Sequence, residues 1–247
     1  MRISIGDIRS DFSGFSRLAK LAHELNGCMF DTIDIDFSPC SWLDANMSAP
    51  LGVIFAHAID DLNNIQPSGL NHGVETILTK NKFLVGYGYN ERTDTYGTTI
   101  PYQRFNPKDN RYFAAYLNKN LERKELPKMS EALSYKFKDS ILEIFDNAAS
   151  HSETKLGIFA CGQYFPTKNR LDFCVADAGI GIRKKIREEL GLKMNSDQAI
   201  VWALQEGNTT RKGRIPGGLG LKLLRKFITL NQGRIQIVSD RGYWELT

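Results

Sequence analysis

No apolar run in this 247-residue chain reaches the length needed to cross a membrane, which argues against a membrane protein. The start, Met1-Arg-Ile-Ser-Ile-Gly-Asp, alternates polar and apolar residues at once, so it does not read as a secretory signal, and a cytoplasmic location is expected. Cysteine is sparse. Cys28, Cys40, Cys161 and Cys174 show no CxxC spacing and sit among mostly apolar neighbours. That excludes a disulfide framework or a zinc knuckle as the organising element and predicts buried free thiols. Charge of one sign is also scarce. A net charge of +4 with no visible basic run is too little to predict nucleic-acid binding. Repeats and low-complexity segments are absent. What remains is an ordinary globular composition, 42% hydrophobic and 24% charged, long enough for one large or two small domains.

The first hundred residues read as an α/β unit. Arg2 to Ile5 and Thr32 to Phe37 are strand candidates, the latter with Ile33, Ile35 and Phe37 on one face. Gly14 to Asn26 and Ser48 to Leu62 are helix candidates, with Pro50 tolerated in a first turn. Val74 to Tyr89 reads as a short helix or turn followed by a strand at Phe83-Leu-Val. Asn90 to Gln103 reads as a hairpin or exposed loop, and Pro107 to Glu125 as a helix. The break at Leu126-Pro127-Lys128 places a domain boundary there, giving 1–125 and 126–247. The second half opens with a long amphipathic helix, about Ser130 to Ser150. Adjacent antiparallel strands follow at Leu156 to Cys161 and Leu171 to Ala176. Helices at Asp197 to Gln205 and Leu219 to Asn231, and strands at Arg234 to Val238 and Tyr243 to Leu246, complete it.

Three segments carry chemistry. In Glu143-Ile-Phe-Asp-Asn147-Ala-Ala-Ser-His151 the three named residues are four apart, hence stacked on one helical face. The amide oxygen of Asn147 is a hard ligand suited to Mg2+, and a carboxylate one turn away orients or deprotonates a nucleophile. His151 either touches phosphate or closes the helix end. Asp177-Ala-Gly179-Ile-Gly181 follows a strand: its carboxylate can accept a hydrogen bond from an exocyclic amine, and its glycines allow close backbone approach. Arg214-Ile-Pro-Gly217-Gly218-Leu219-Gly220 leads into a helix, so its backbone N–H groups and the helix dipole would cradle an anion. The spacing is neither GxxxxGK[ST] nor GxGxxG after a first strand, which disfavours a P-loop and a Rossmann site.

In this order the three segments resemble the N, G1 and G2 boxes of the GHKL ATPase superfamily, over roughly Ser130 to Leu246. The resemblance implies a C-terminal Bergerat α/β two-layer sandwich that binds ATP and Mg2+ and acts as an ATPase or a serine kinase in a regulatory switch. Asn147 would hold Mg2+ and Glu143 would be the general base. Asp177 would read the adenine amino group, with Gly179 and Gly181 shaping the base pocket. Gly217, Gly218, Leu219 and Gly220 would approach the phosphates. The stretch from Ile182 to Pro216, with Thr209, Thr210, Arg211, Lys212 and Arg214, would form a flexible lid over the nucleotide. Glu rather than Asn at 143 is more similar to the anti-sigma-factor serine kinases than to sensor histidine kinases.

The N-terminal segment Ile35-Asp-Phe-Ser-Pro-Cys-Ser-Trp-Leu43-Asp44-Ala45-Asn46 resembles the strand-to-helix turn of STAS domains. The fold class implied for the whole chain is α/β, a STAS-like unit preceding the Bergerat one. Ala45, Asn46 and Met47 occupy the places where STAS domains carry the phosphoacceptor serine and glycine, so the hydroxyl is missing. The partners implied are an adenine nucleotide, a regulatory protein, with a STAS-type protein as the candidate, and a second copy in a homodimer. The alternative is a nucleotide-binding regulatory module without turnover.

Overall fold

The computed structural model describes residues 1–122, 130–205, 207–208, 210, 228–229 and 233–247. The chain is mixed α/β and divides into two compact units interleaved along the sequence. One comprises Met1–Asn106, Lys119–Pro127 and Leu156–Ala178. The other comprises Pro107–Asn118, Lys128–Lys155 and Gly179–Thr247. The boundary expected near residue 126 lies outside the described residues.

The first unit begins with parallel strands β1 (Arg2–Ser4), β2 (Thr32–Asp36) and β3 (Asn64–Ser68), in the order β1-β2-β3. Alternation splits their side chains between two faces. Ile3, Ile5, Ile33, Ile35 and Ile65 share a core with Leu18, Leu21 and Leu25 of α1 (Phe12–Leu25), Leu51 and Phe55 of α2 (Ser48–Asp60), and Val74 and Leu78 of α3 (His72–Lys80). The opposite face is polar. There Arg2 pairs with Asp36 at 2.9 Å, and Ser4 donates to the same carboxylate at 3.1 Å. Hydrogen bonds, those from Ser38 foremost, hold the Asp36 carboxyl down at about 2.

Asn64–Ser68 is a strand that the residue pattern does not suggest, because Pro67 removes a ladder donor. It is tolerated since β3 is an edge strand, bonded to β2 alone. Conversely, the strand expected at Phe83-Leu84-Val85 is a 3-10 turn, Leu84–Tyr87. Its apolar side chains are needed for a buried aromatic cluster: Phe83 lies 5.8 Å from Phe55 and 5.1 Å from Tyr102.

Antiparallel strands β4 (Thr99–Phe105), β5 (Ile158–Phe165) and β6 (Arg170–Asp177) form the unit's second sheet. β4 takes over the end of the segment read as a hairpin or loop. Asp94 fixes its start, accepting from the Thr99 N–H at 2.7 Å and hydroxyl at 2.8 Å. β5 and β6 pair antiparallel as expected, over longer spans.

Helix α2 joins the two sheets. Its Leu51, Phe55 and Ala58 pack on the parallel sheet. Ala49, Val53 and Ala56, about 200° away around the helix, pack with Phe159, Cys161 and Ala178. A helix with two apolar faces has to be covered on both. The 3-10 turn that precedes it, Ala45–Met47, is tied to β5 as well. The Ala45 N–H donates to Gln163 Oε1 at 3.0 Å, and the Cys161 thiol donates to the carbonyls of Ala45 at 3.2 Å and Asn46 at 3.3 Å. All four thiols are free, as expected. Cys40 and Cys161 are buried and Cys28 and Cys174 half-buried, and burial pushes the Cys174 thiol up to about 12.

In the second unit, α4 (Asn110–Leu121) contributes Phe113, whose ring stacks 4.1 Å from Phe145 of α5 (Glu131–His151). Helices α6 (Ile182–Leu190) and α7 (Ser196–Leu204) follow, then a hairpin of β7 (Ile235–Ser239) and β8 (Gly242–Leu246). Of the helix expected over Leu219 to Asn231, only Ile228 and Thr229 are described, and both are helical.

Two outcomes follow from these contacts. A Cβ on Gly52 would stand 2.2 Å from Tyr102 Oη and 2.8 Å from Tyr102 Cζ. Gly52→Ala should cost about 1–3 kcal/mol in denaturant unfolding despite its better helix propensity, and less in a Tyr102→Leu background. The folded-state value of Asp36 lies below the 3.8 of a free aspartate. Its stabilisation is therefore complete above about pH 4 and lost as pH falls toward about 2. Asp36→Asn should flatten that part of the acid-unfolding curve; an unchanged slope would show that the Ser38 and Arg2 contacts contribute nothing.

Candidate functional site

Helix α5 carries the expected face. It starts at Ser130, whose hydroxyl accepts from the Leu133 N–H at 3.3 Å, and it has neither Pro nor Gly to interrupt it. Ile141 and Phe145 are buried. Glu143, Asn147 and His151 lie on the other side, because two residues turn the helix by about 200°. Glu143 and Asn147 are both half-buried. Asn147 Nδ2 points at Glu143 Oε1, 3.5 Å away, at the outer limit of hydrogen bonding, so this contact orients the amide more than it anchors it. The amide oxygen accepts no hydrogen bond from the described residues. One turn on, His151 Nδ1 is 2.9 Å from Thr210 Oγ1, a contact across 59 residues that ties the end of α5 to the segment after α7.

The end of α5 is also fixed to the glycine turn. The Ser152 N–H closes the helix on Ala148 O at 3.1 Å. Its carbonyl then accepts from the Ile180 N–H at 2.8 Å. Gly179 is required by that approach, since a Cβ there would lie 2.1 Å from Ser152 O. Gly181 has φ +77° at the start of α6, and the next N–H, of Ile182, donates to Ser239 Oγ at 2.9 Å. Lys185 of α6 bonds Glu153 at 2.6 Å and Glu189 at 3.2 Å, and the Glu153 hydrogen bond raises its ammonium above the usual lysine value. Arg183 pairs with Asp240 at 2.8 Å, and Asp240 also accepts from the Ser196 hydroxyl at the start of α7. An Asn195–Gln198 capping box completes that start.

The stretch from Ile182, expected as a lid, begins with regular structure. Among the described residues it opens as two helices held by the β7–β8 turn: α6, which was not expected, and α7, which matches the helix expected at Asp197 to Gln205. The amphipathic run Ile182-Arg-Lys-Lys-Ile186, with Ile186 buried, is the signal for the first. Thr210 is placed, against His151. Arg211, Gly217, Gly218, Leu219 and Gly220 lie outside the described residues, as do Thr209, Lys212 and Arg214.

Glu143 with Asn147, and His151 with Thr210, are thus brought together within the second unit. Asp177 is the last residue of β6 in the first unit, half-buried and opposite Ile158 in the ladder. Ser152 and Ser239, which hold the two glycines of the turn, are not marked by any motif. Their signal is only positional, a serine directly after a helix and another directly before a tight hairpin. Among the described residues no three His, Cys, Asp or Glu side chains gather into a metal-binding group. No family model, no curated protein and no solved structure matches this chain.

Gly179→Ala should break the Ser152 contact. Exchange of the Ile180 amide would rise and thermal stability fall, whereas Gly73→Ala, whose Cβ meets only Asn71 Oδ1 at 3.3 Å, should leave both nearly unchanged.

Proposed function

We propose that this chain binds ATP with Mg2+ and uses it in a regulatory switch, as a GHKL-type ATPase or serine kinase whose residues 1–125 are STAS-like and whose residues 126–247 have the Bergerat fold. The observation that carries the reading is the α5 stripe: a half-buried asparagine whose amide oxygen accepts no hydrogen bond from the described residues, a carboxylate one turn before it, and a histidine one turn after it that holds Thr210. The donor set fits Mg2+. That ion favours a few protein oxygens supplemented by phosphate and water over an all-protein cage, so Asn147 Oδ1 would be one ligand from this helix and the phosphates would supply others. Bound there, the ion would neutralise charge on the phosphates. Glu143 is the general base in this reading, turned toward the same side of α5. Asp177 is the adenine-reading carboxylate. Gly179 and Gly181 keep the turn after it narrow, and the segment with Arg211 and Gly217-Gly218-Leu219-Gly220 is the phosphate-binding stretch.

A second reading, nucleotide binding without turnover, is favoured by one observation. At the strand-to-helix turn where STAS domains carry their acceptor serine, Asn46 is buried, and the nearby Ser48 is fully buried with its Oγ accepting from Asn81 at 2.8 Å. The exposed hydroxyls of the same segment, Ser38 and Ser41, stand out of register with the acceptor position and donate to Asp36 at 2.6 Å and Asp7 at 2.8 Å, so in this reading the phosphorylated serine belongs to a separate protein.

Calorimetric titration should give ATP binding that a chelator abolishes and that Asn147→Ala or Asp177→Asn weakens at least about tenfold, roughly 1.4 kcal/mol. Wild-type protein that binds no adenine nucleotide would contradict the proposal. Bound ATP recovered intact from both wild type and Glu143→Ala would select the second reading.

A further inference from the structure

The three parallel strands of the first unit all begin beside exposed apolar side chains. Met1 precedes β1; Met29 and Phe30 precede β2; Ile59 and Leu62 precede β3. Phe30 is 75% exposed and Leu62 61%. Because the strands are parallel, these residues share one end of the sheet. Buried Asn63 holds them together, donating to Cys28 O at 2.8 Å and accepting from the Asp31 N–H at 3.0 Å. The Cys28 and Met1 sulfurs are 3.7 Å apart.

Folding alone does not account for the patch. Leu62 closes α2 in a Schellman turn: its N–H donates to Ile59 O at 2.9 Å, and the Asn63 N–H donates to Ala58 O at 3.1 Å. Its φ is +62°, where glycine is the unstrained choice, and α1 is indeed followed by Gly27 at φ +85°. Phe30 likewise has φ +57°. Two large apolar residues are thus kept in a costly backbone conformation and displayed to solvent.

The rim of the patch is acidic. Asp31, Asp60 and Asp61 are all exposed. Asp60 and Asp61 have no cationic partner among the described residues, and Asp31 meets only the Met1 amine, at 3.5 Å. The chain as a whole carries +4, so this end opposes the general charge. A second copy docked here about a two-fold axis would set the carboxylates against one another. We infer that this end of the sheet docks a cationic amphipathic segment of another protein, its apolar side chains on Phe30, Met29, Ile59 and Leu62 and its Lys or Arg residues on Asp60 and Asp61. The inference does not rest on the nucleotide site.

The probe is a synthetic helix with Leu on one face and Lys flanking it, labelled and titrated with the full chain by fluorescence anisotropy. A Glu-flanked version is the control. The Lys helix should bind saturably and the Glu helix should not. Phe30→Gly and Leu62→Gly should each weaken binding about tenfold while the melting temperature holds or rises, since both relieve positive φ. Asp60→Lys combined with Asp61→Lys, at exposed positions, should reverse the preference. Binding of the Lys helix that none of these changes alters would overturn the inference. So would concentration-dependent self-association that Leu62→Gly removes, because the occupant would then be a second copy.

Discussion

The packing of α2 against two sheets, on two opposite faces, is the constraint on which the first unit depends. A helix apolar on one face can rest on one sheet; this one has two opposite apolar faces and needs two. The parallel sheet β1-β2-β3 covers Leu51 and Phe55, and the antiparallel sheet β4-β5-β6 covers Ala49, Val53 and Ala56. The second sheet draws two of its strands from beyond residue 156, so the unit is completed only after the chain has passed through α5. Small residues make the fit close on one side, where Gly52 admits the Tyr102 ring. Loss of that fit would disturb both sheets together.

The same passage of chain that completes the first unit leads into the candidate site. β6 ends at Asp177, and within two residues the backbone has become part of the second unit, where Gly179 lies against the Ser152 carbonyl and Gly181 starts α6. The end of α5, the glycine turn and the β7–β8 turn form one hydrogen-bonded chain through Ser152, Ile180, Ile182 and Ser239. The stripe of Glu143, Asn147 and His151 therefore sits on a helix fixed at both ends, by its Ser130 cap and by this chain. A rigid helix suits residues that must present oxygens to an ion at set positions.

What was legible in the residues followed from periodicity. The helical spacing of Leu18, Leu21 and Leu25, and of Ile141 and Phe145, marks α1 and α5 because each packs one side on a core. The alternation of Ile33 and Ile35 marks β2 for the same reason, and the four-residue spacing of the α5 stripe translates directly into a shared face. Short or exceptional elements escaped. β3 hides behind Pro67, which its edge position excuses, and Phe83-Leu84 looks like a strand because a buried turn is as apolar as one. The helix at Ile182–Leu190 was missed because it falls within the stretch read as a lid; its Lys185 and Arg183 are held in ion pairs. The partners of Gly179 and Gly181 could not be read at all, since Ser152 and Ser239 reach them through tertiary contacts that no local pattern encodes.

The nucleotide reading stands or falls on whether the ion and the phosphates meet the α5 stripe. Amide hydrogen exchange with and without MgATP addresses this segment by segment. The account predicts slowed exchange in two places, the last turn of α5 around Asn147 to Ser152 and the turn from Asp177 to Ile182, with the effect lost when Mg2+ is chelated. Unchanged exchange at both segments under saturating MgATP, or protection confined to the parallel sheet β1-β2-β3, would contradict it.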